Sequence, residues 1–237
     1  MIYTDAHCHL GELVNAPEIA CRIYNATRPA DWANSIQIAE TDDDENFASV
    51  GIHPWYIDDA VPDWESAICE ILSTHPNIMV GEVGLDKFHP NMPHQIEIFT
   101  AQLQIAARTR RPLHLHCVGA WDKILHIFRA HTGTMPPAIV AHAFSGDPAN
   151  IPMLADKYNM YFSYSAAKND KDTARIIATP QNRILVESDT FDSPDEISIL
   201  DSALNNIAAL RGCAPDEMSN QIYNNINGVL SYVRPIA

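Results

Sequence analysis

Short apolar, β-branched runs alternate along the chain with longer segments whose apolar residues recur at helical spacing, the pattern of βα units wound around a parallel sheet. Eight runs read as strands: IYTDAH (2–7), SIQIA (35–39), ASVGIH (48–53), NIMVGEV (77–83), PLHLH (112–116), AIVAH (138–142), MYFSYS (160–165) and RILVES (183–188). Helical patterns fall between them at 63–75, 95–108 and 120–131. Eight strands in this alternation predict an α/β fold, a TIM-type (β/α)8 barrel. Distortion is expected at 9–34 and 40–47, where TDDDENF is acidic and unpatterned and the second strand is short. Two more helical stretches, 194–210 and 215–232, follow the eighth strand and should pack outside the barrel. The first opens with SPDE, placing Pro194 just inside a Ser193 cap. With no repeat or linker in view, residues 1–237 read as one domain.

Composition narrows the classes. Apolar residues make up 46% of the chain, which excludes a disordered or low-complexity scaffold. Thirty acidic against 15 basic residues give a formal charge of −15, the opposite of the basic footprint of a protein that grips long duplexes by counterion release. Five cysteines without a CxxC pair argue against a disulfide framework. The amino-terminal MIYTDAHCHL carries no basic leader segment, and no apolar run approaches the roughly 18 residues of a membrane span. The expectation is a soluble cytoplasmic protein with no membrane association and no implied protein partner.

The chemistry collects at strand ends. His7 and His9 end or follow the first strand, His53 ends the third, His116 the fifth and His142 the sixth; Glu82 and Asp189 hold the same register on the fourth and eighth. In parallel barrels the active site lies at that carboxyl face. Strand alternation predicts that Asp5, His7 and His9 share one face while Cys8 points away. An HxH pair joined by His116, His142, Glu82 and Asp189 points to metal binding. Six ligands exceed the needs of one tetrahedral ion, so two divalent ions are expected, bridged by Glu82, whose strand lies between the HxH strand and the later histidines. Mixed imidazole and carboxylate donors suit Zn or Mn better than an all-protein Mg cage, and the choice among Zn, Mn, Mg and similar ions stays open.

Six motifs in order, DAHCHL, GIHPW, GEVGLD, HC after PLHL, HAFSG and ILVESD, resemble the TatD family of metal-dependent hydrolases from Asp5 to about Gly228. The resemblance implies a distorted TIM-type barrel with a divalent metal pair and deoxyribonuclease activity, often exonucleolytic. By motif it assigns His7 and His9 to the first ligand pair, Glu82 to the bridge, His116 and His142 to the second metal, and Asp189 to the terminal aspartate. Two departures bear on substrate: HCVGAWDK lacks the Arg that many relatives carry after the fifth-strand histidine, leaving Lys123 as the nearby charge, and SDTFDSP replaces a Pro and Tyr stretch.

Other residues take secondary roles in this reading. His53 and Lys123 are candidate substrate or phosphate contacts, and Asp5 and Glu187 candidate supports that orient imidazoles. His114 is expected to be a buried histidine satisfied by a neighbouring acid. Asp86 lines the mouth or caps a turn. Trp55 and Trp121 are read as covers of a core edge, with base stacking as the alternative. His75, His89, His94, His126 and His131 are assigned to the surface, and Cys8 and Cys117 have no base beside them for nucleophilic work. The leading function is two-metal hydrolysis of phosphodiesters in nucleic-acid ends or short single strands, with Asp189 and Glu82 catalytic and Asp189 relaying the water's proton. A small-molecule amidohydrolase or lactonase on the same barrel is the alternative; many of those bridge their metals with a modified lysine on the fourth strand, which here carries Glu82. A non-catalytic metal-holding scaffold is the second alternative.

Overall fold

The computed structural model describes residues 1–9, 18–41, 45–191 and 195–234. Eight parallel strands, β1 (Tyr3–His9), β2 (Ile19–Asn25), β3 (Asn46–Val50), β4 (Ile78–Asp86), β5 (Leu113–Val118), β6 (Ile139–Ala141), β7 (Met160–Tyr164) and β8 (Ile184–Val186), neighbour one another in chain order. The helices are α1 (Trp32–Ala39), α2 (Trp64–Thr74), α3 (Met92–Thr109), α4 (Trp121–Ala130), α5 (Ile151–Tyr158), α6 (Asp170–Ala178), α7 (Glu196–Arg211) and α8 (Pro215–Leu230). The sheet comes nearly to closure just past β8. There His9 and Phe191 form a parallel bridge, Asp189 N–H donates to the His7 carbonyl (3.0 Å) and His9 N–H to the Thr190 carbonyl (2.9 Å). The expected (β/α)8 barrel is therefore present.

One strand lies elsewhere than expected. SIQIA (35–39) is the carboxyl end of α1, and the second strand is β2, within the stretch where distortion was expected. Alternation at Ile36 and Ile38 suggested a strand, but burial of Trp32, Ser35 and Ile38 follows helical spacing. β2 was hidden by Arg22 in mid-strand, a charge that the fold accommodates with a two-pronged pairing to Glu196 of α7, 2.8 and 3.0 Å. Part of TDDDENF, together with Ser193 and Pro194 of the expected cap, lies outside the described residues. α7 flanks the barrel as expected, whereas α8 seals its amino end. Ile226, Val229 and Leu230 of α8 join the barrel residues Ala6, Ile23, Met79, Val140 and Leu185 in one apolar cluster. Asn225 donates to the Ile184 carbonyl (2.8 Å), and Ser219 bonds both backbone groups of Ile2.

Three register shifts interrupt the ladders; one lies between Tyr3 and Thr4, and the two others are β-bulges that fall at residues of chemical interest. Asp5 to Cys8 on β1 spans Arg22 to Tyr24 on β2, and Val80 to Val83 on β4 spans Leu113 to Leu115 on β5, one extra residue in each case. The inserted stretches contain His7 and Glu82. A bulge re-aims a side chain that strict alternation would send elsewhere. The bulge at His7 overturns the shared face of Asp5, His7 and His9. Asp5 lies with Cys8 and Glu196 on the helix side of the wall, and its Oδ1 accepts the backbone N–H groups of His7 (3.1 Å) and Ser188 (3.0 Å).

Two buried glutamines of α3, seven residues apart and so on one face, hold the loops above the barrel. Gln102 bonds both the N–H (2.7 Å) and the carbonyl (3.0 Å) of Ile52; Gln95 accepts from Asp86 N–H (2.9 Å) and donates toward the carbonyls of Asp86, His89 and Pro90. The β4/β5 seam is equally tight: a Cβ on Gly84 would stand 1.8 Å from the His116 carbonyl oxygen. Gly84→Ala is expected to cost at least about 2 kcal/mol through overpacking against backbone that cannot retreat. Denaturant unfolding that matches the unsubstituted protein would show the seam to be compliant.

Candidate metal centre

Two half-clusters of imidazoles meet around one carboxylate at the carboxyl end of the barrel. Glu82, almost fully buried on β4, points Oε2 toward Nε2 of His7 (3.4 Å) and Nε2 of His9 (3.7 Å) on β1. Its Oε1 faces Nε2 of His142 (2.8 Å), just past β6, Nδ1 of His116 (2.9 Å) on β5, and Nε2 of His53 (3.5 Å) in the loop after β3. Asp189 closes the first half, with Oδ1 3.4 Å from His9 Nε2 and 3.8 Å from His7 Nε2. The six residues expected from sequence thus converge on one site, and His53 joins them.

Local backbone explains the placement. Asp189 stands three residues beyond β8 with φ +54°, so a left-handed turn, not strand alternation, aims it inward; Asp tolerates that conformation better than most residues. His53 is also past its strand, its Nδ1 accepting the Trp55 N–H (3.2 Å). That bond leaves Nε2 free to face Glu82.

Charge in the cluster is arranged around Glu82. Burial alone would raise its pKa, but His142, His7 and His53 hold it well below the usual carboxylate range. Burial would depress His142, yet the Glu82 carboxylate overrides this and lifts it to about 9. His7 goes the other way, to about 4, through burial and the neighbouring His142. Burial likewise takes His53 to about 3. Burial would raise Asp189, but the His9 hydrogen bond together with the His7 and His142 rings holds it at about 2. The result is two ionised carboxylates among imidazoles of mixed charge, His7 and His53 held neutral while His9 and His142 are pushed toward the protonated form by the same carboxylates; imidazole and carboxylate together are the donor set of a transition-metal site.

Unspent donors fit the same reading. Both ring nitrogens of His7, Nε2 of His116 and Nδ1 of His142 are buried without a hydrogen-bond partner. Three sets of ligand atoms lie close enough to hold an ion: His7, His142 and Asp189; His7, His9 and Glu82; and His53, Glu82 and His116. A fourth, Asp5, Cys8 and Glu196, already has the Arg22 guanidinium on Glu196 as its cation.

The remaining candidates divide. Lys123 sits in the first turn of α4 and pairs with Asp122 (3.3 Å), not with the cluster. Asp5 touches no imidazole, because the bulge turns it to the helix side. Glu187 faces inward but accepts from Ala143 N–H (2.7 Å) and the Ser163 hydroxyl, and burial raises it to about 7. His114 lies one layer below, 6.0 Å from the His7 ring, and both its nitrogens lack a partner, so the expected acid is absent among the described residues. Asp86 does both things expected of it, accepting from Phe88 N–H (2.8 Å) as a turn cap and standing 4.0 Å from His116 Nε2 at the mouth. Trp121 covers a core edge against Phe144, at 4.7 Å. Trp55 does not: its ring is 52% exposed, and its Nε1 donates to Asp86 (2.7 Å). His89, assigned to the surface, stacks on Trp55 at 6.3 Å beside the mouth. Phe191, stacked on His9 at 4.4 Å, was missed, and its only signal was an aromatic two residues after Asp189.

Residues 4–231 match the TatD related DNase family. The chain is 30% identical over 176 residues to an uncharacterized metal-dependent hydrolase TatD from Mycobacterium tuberculosis, covering 69% of this chain and 61% of that protein. It is 28% identical over 218 residues to a human 3′-5′ RNA nuclease, 79% of this chain and 28% of that one. To a 3′-5′ ssDNA/RNA exonuclease TatD from Salmonella typhimurium it is 27% identical over 151 residues, 60% of this chain and 57% of that one. The matched region thus spans less than two thirds of each of these three relatives. Among solved structures, a TatD homologue from Escherichia coli superposes with a TM-score of 0.82 at 21% identity, over 97% of this chain and 98% of that one. A TatD family hydrolase from Entamoeba histolytica gives 0.78 at 12% identity, over 96% and 97%. Both share the barrel fold. The family match begins within β1 and ends just past α8, so no strand or helix of the barrel falls outside it, and the chain belongs to the TatD related DNase family.

Proposed function

We propose that the chain is a divalent-metal-dependent phosphodiesterase that removes nucleotides from the 3′ ends of single-stranded nucleic acid. The observation that carries this reading is the division of Glu82, one carboxylate oxygen facing each half-cluster, which suits a pair of cations bridged by a single carboxylate. The 3′ to 5′ direction follows the names of the bacterial and human relatives. Bound divalent ions would supply an activated water and neutralise charge on the phosphoryl oxygens.

The residues divide the remaining work. His7, His9 and Asp189 would hold one ion and His116 and His142 the other, with His53 against the second half. Asp189, with its side chain 47% exposed beside the nearly closed-off Glu82, is the carboxylate that water and substrate reach. Its Oδ1 faces His9 and His7, and as the exposed carboxylate of the pair it is the one placed to take up the water's proton. Glu82 stays buried and ionised and keeps the two halves together.

The test uses protein stripped of metal and reloaded with Mg, Mn, Co or Zn. It is offered single-stranded and duplex oligonucleotides, a small phosphodiester and a panel of lactones. Metal-dependent trimming of the single strands is expected, and turnover of lactones alone would replace this reading with the amidohydrolase one. Glu82→Gln is expected to lower bound metal below two ions per chain and slow turnover by about 10² or more while the fold persists. Near-native metal content and rate in that variant would remove the bridge. Asp189→Asn is expected to lose about 10² to 10⁴ in single-turnover rate with its melting temperature and at least one ion retained. An active but destabilised variant would assign Asp189 a structural role.

A further inference from the structure

Exposed aromatic rings are not scattered over this protein. Trp55, Phe88, Phe191 and Tyr232 are the large aromatic side chains exposed among the described residues. Three of the four stand on connections that leave the carboxyl ends of strands: Trp55 after β3, Phe88 after β4 and Phe191 after β8. That is the rim over the metal centre. An apolar ring in water is a cost without return in the free protein, and three around one opening mark a contact surface.

Their geometry is that of flat platforms. Phe191, 66% exposed, lies nearly parallel to the His9 ring, 15° between planes at 4.4 Å, so one face is backed by the cluster and the other is open. Trp55 is fixed on the opposite half. Its Nε1 is held by Asp86, its edge meets His53 at 5.1 Å and His116 at 6.5 Å, and His89 lies roughly parallel to it at 6.3 Å. Asp86 is in turn gripped through its backbone by buried Gln95, so the indole is oriented before any ligand arrives. One rigid ring therefore stands beside each half of the centre.

Cations at the rim are few. The Arg that many relatives carry after His116 is absent, Lys123 is paired with Asp122, Lys87 lies over the Phe88 ring at 4.8 Å, Lys168 stands in the cleft that Asp189 lines, and the chain carries a charge of −15. A nucleic-acid end held mainly at its scissile phosphate needs a second, uncharged grip, and every base has a π-face to offer one. We propose that Phe191 and Trp55 are nucleobase-stacking platforms that seat the two nucleotides flanking the scissile phosphate, restricting the site to unpaired ends. This inference rests on the nuclease reading above. It adds that the bases are gripped by stacking, without sequence readout.

The experiment is a coupling measurement on the metal-loaded full chain. Single-stranded oligonucleotides with natural bases, or with abasic tetrahydrofuran residues at the last two positions, are compared on the wild type, Phe191→Leu and Phe191→Trp. Leucine keeps an apolar cover on His9 but offers no ring. With natural bases, Phe191→Leu is expected to raise KM about tenfold, with bound metal unchanged, and Phe191→Trp to restore it. Removing the bases is expected to raise the wild-type KM by a similar factor, and the two losses should not add when combined. Equal penalties from Phe191→Leu on natural and abasic strands would overturn the platform, leaving Phe191 as a lid on His9. A wild type that trims both strands with the same KM would overturn it too, and would fit a rim that docks a protein instead. A wild type that turns over lactones but no oligonucleotide would remove the nuclease reading itself, and the platform with it.

Discussion

A carboxylate buried in a protein is tolerable only if its surroundings supply the charge that water no longer does, and Glu82 sets that requirement at the centre of this fold. Five imidazoles reach within 3.7 Å of its two oxygens, drawn from β1, β5, the end of β6 and the loop after β3. The raised pKa of His142, about 9, is the partial answer that the chain can make by itself: one proton shared against one carboxylate. A proton supplies a single charge, while Asp189 adds a second ionised carboxylate beside the same rings. Divalent cations would meet the whole deficit, and would also use the ring nitrogens that are buried without partners.

Everything below and beside the cluster serves to keep it in place. Met79, Val140 and Leu185 fill the barrel beneath with apolar volume, and α8 closes the bottom. Around the top, the supports are backbone-directed. Asp5 ties His7 N–H to Ser188 N–H across the β1/β8 seam, and Gln102 and Gln95 of α3 pin the segments bearing His53 and Asp86. These groups touch main chain, not ligands. Their effect is to fix where a strand or loop ends, and so where its ligand starts.

How much of this was readable in the sequence follows from the same division. Ligands at strand ends were legible because barrel geometry and residue type agree: a histidine or acid after an apolar run has one plausible place to go, as for Glu82, His116 and His142. Features that depend on departures from regular geometry were not. The bulge at His7 moved Asp5 to the opposite face, the left-handed turn at Asp189 did what alternation was expected to do, and both are written in tertiary packing, not in periodicity. β2 was lost because a paired Arg22 looks like a break in a strand until Glu196, 174 residues away, is seen beside it. Gln95 and Gln102 look like ordinary polar positions of a helix. Their importance lies in the loops they meet.

The electrostatics then decide which end of a polymer such a site can use. Eight of the ten arginines have partners within the chain, among them Arg22 with Glu196, Arg175 with Asp172 and the carbonyls of Ser145 and Gly146, Arg111 with the carbonyls of Leu72 and Pro76, and Arg211 with those of Ile177 and Thr179. They hold elements together and leave little positive surface along which a phosphate backbone could run. With a net charge of −15, the protein as a whole repels a long polyanion, and the repulsion grows with every phosphate brought within about a Debye length, near 10 Å at 0.1 M salt. On the proposed nuclease reading a terminus would minimise that number: one phosphate would enter the cluster while the rest of the strand led away. On that reading the acidity of the chain and the depth of the Glu82 site would act in the same direction, toward ends and away from the interior of a duplex.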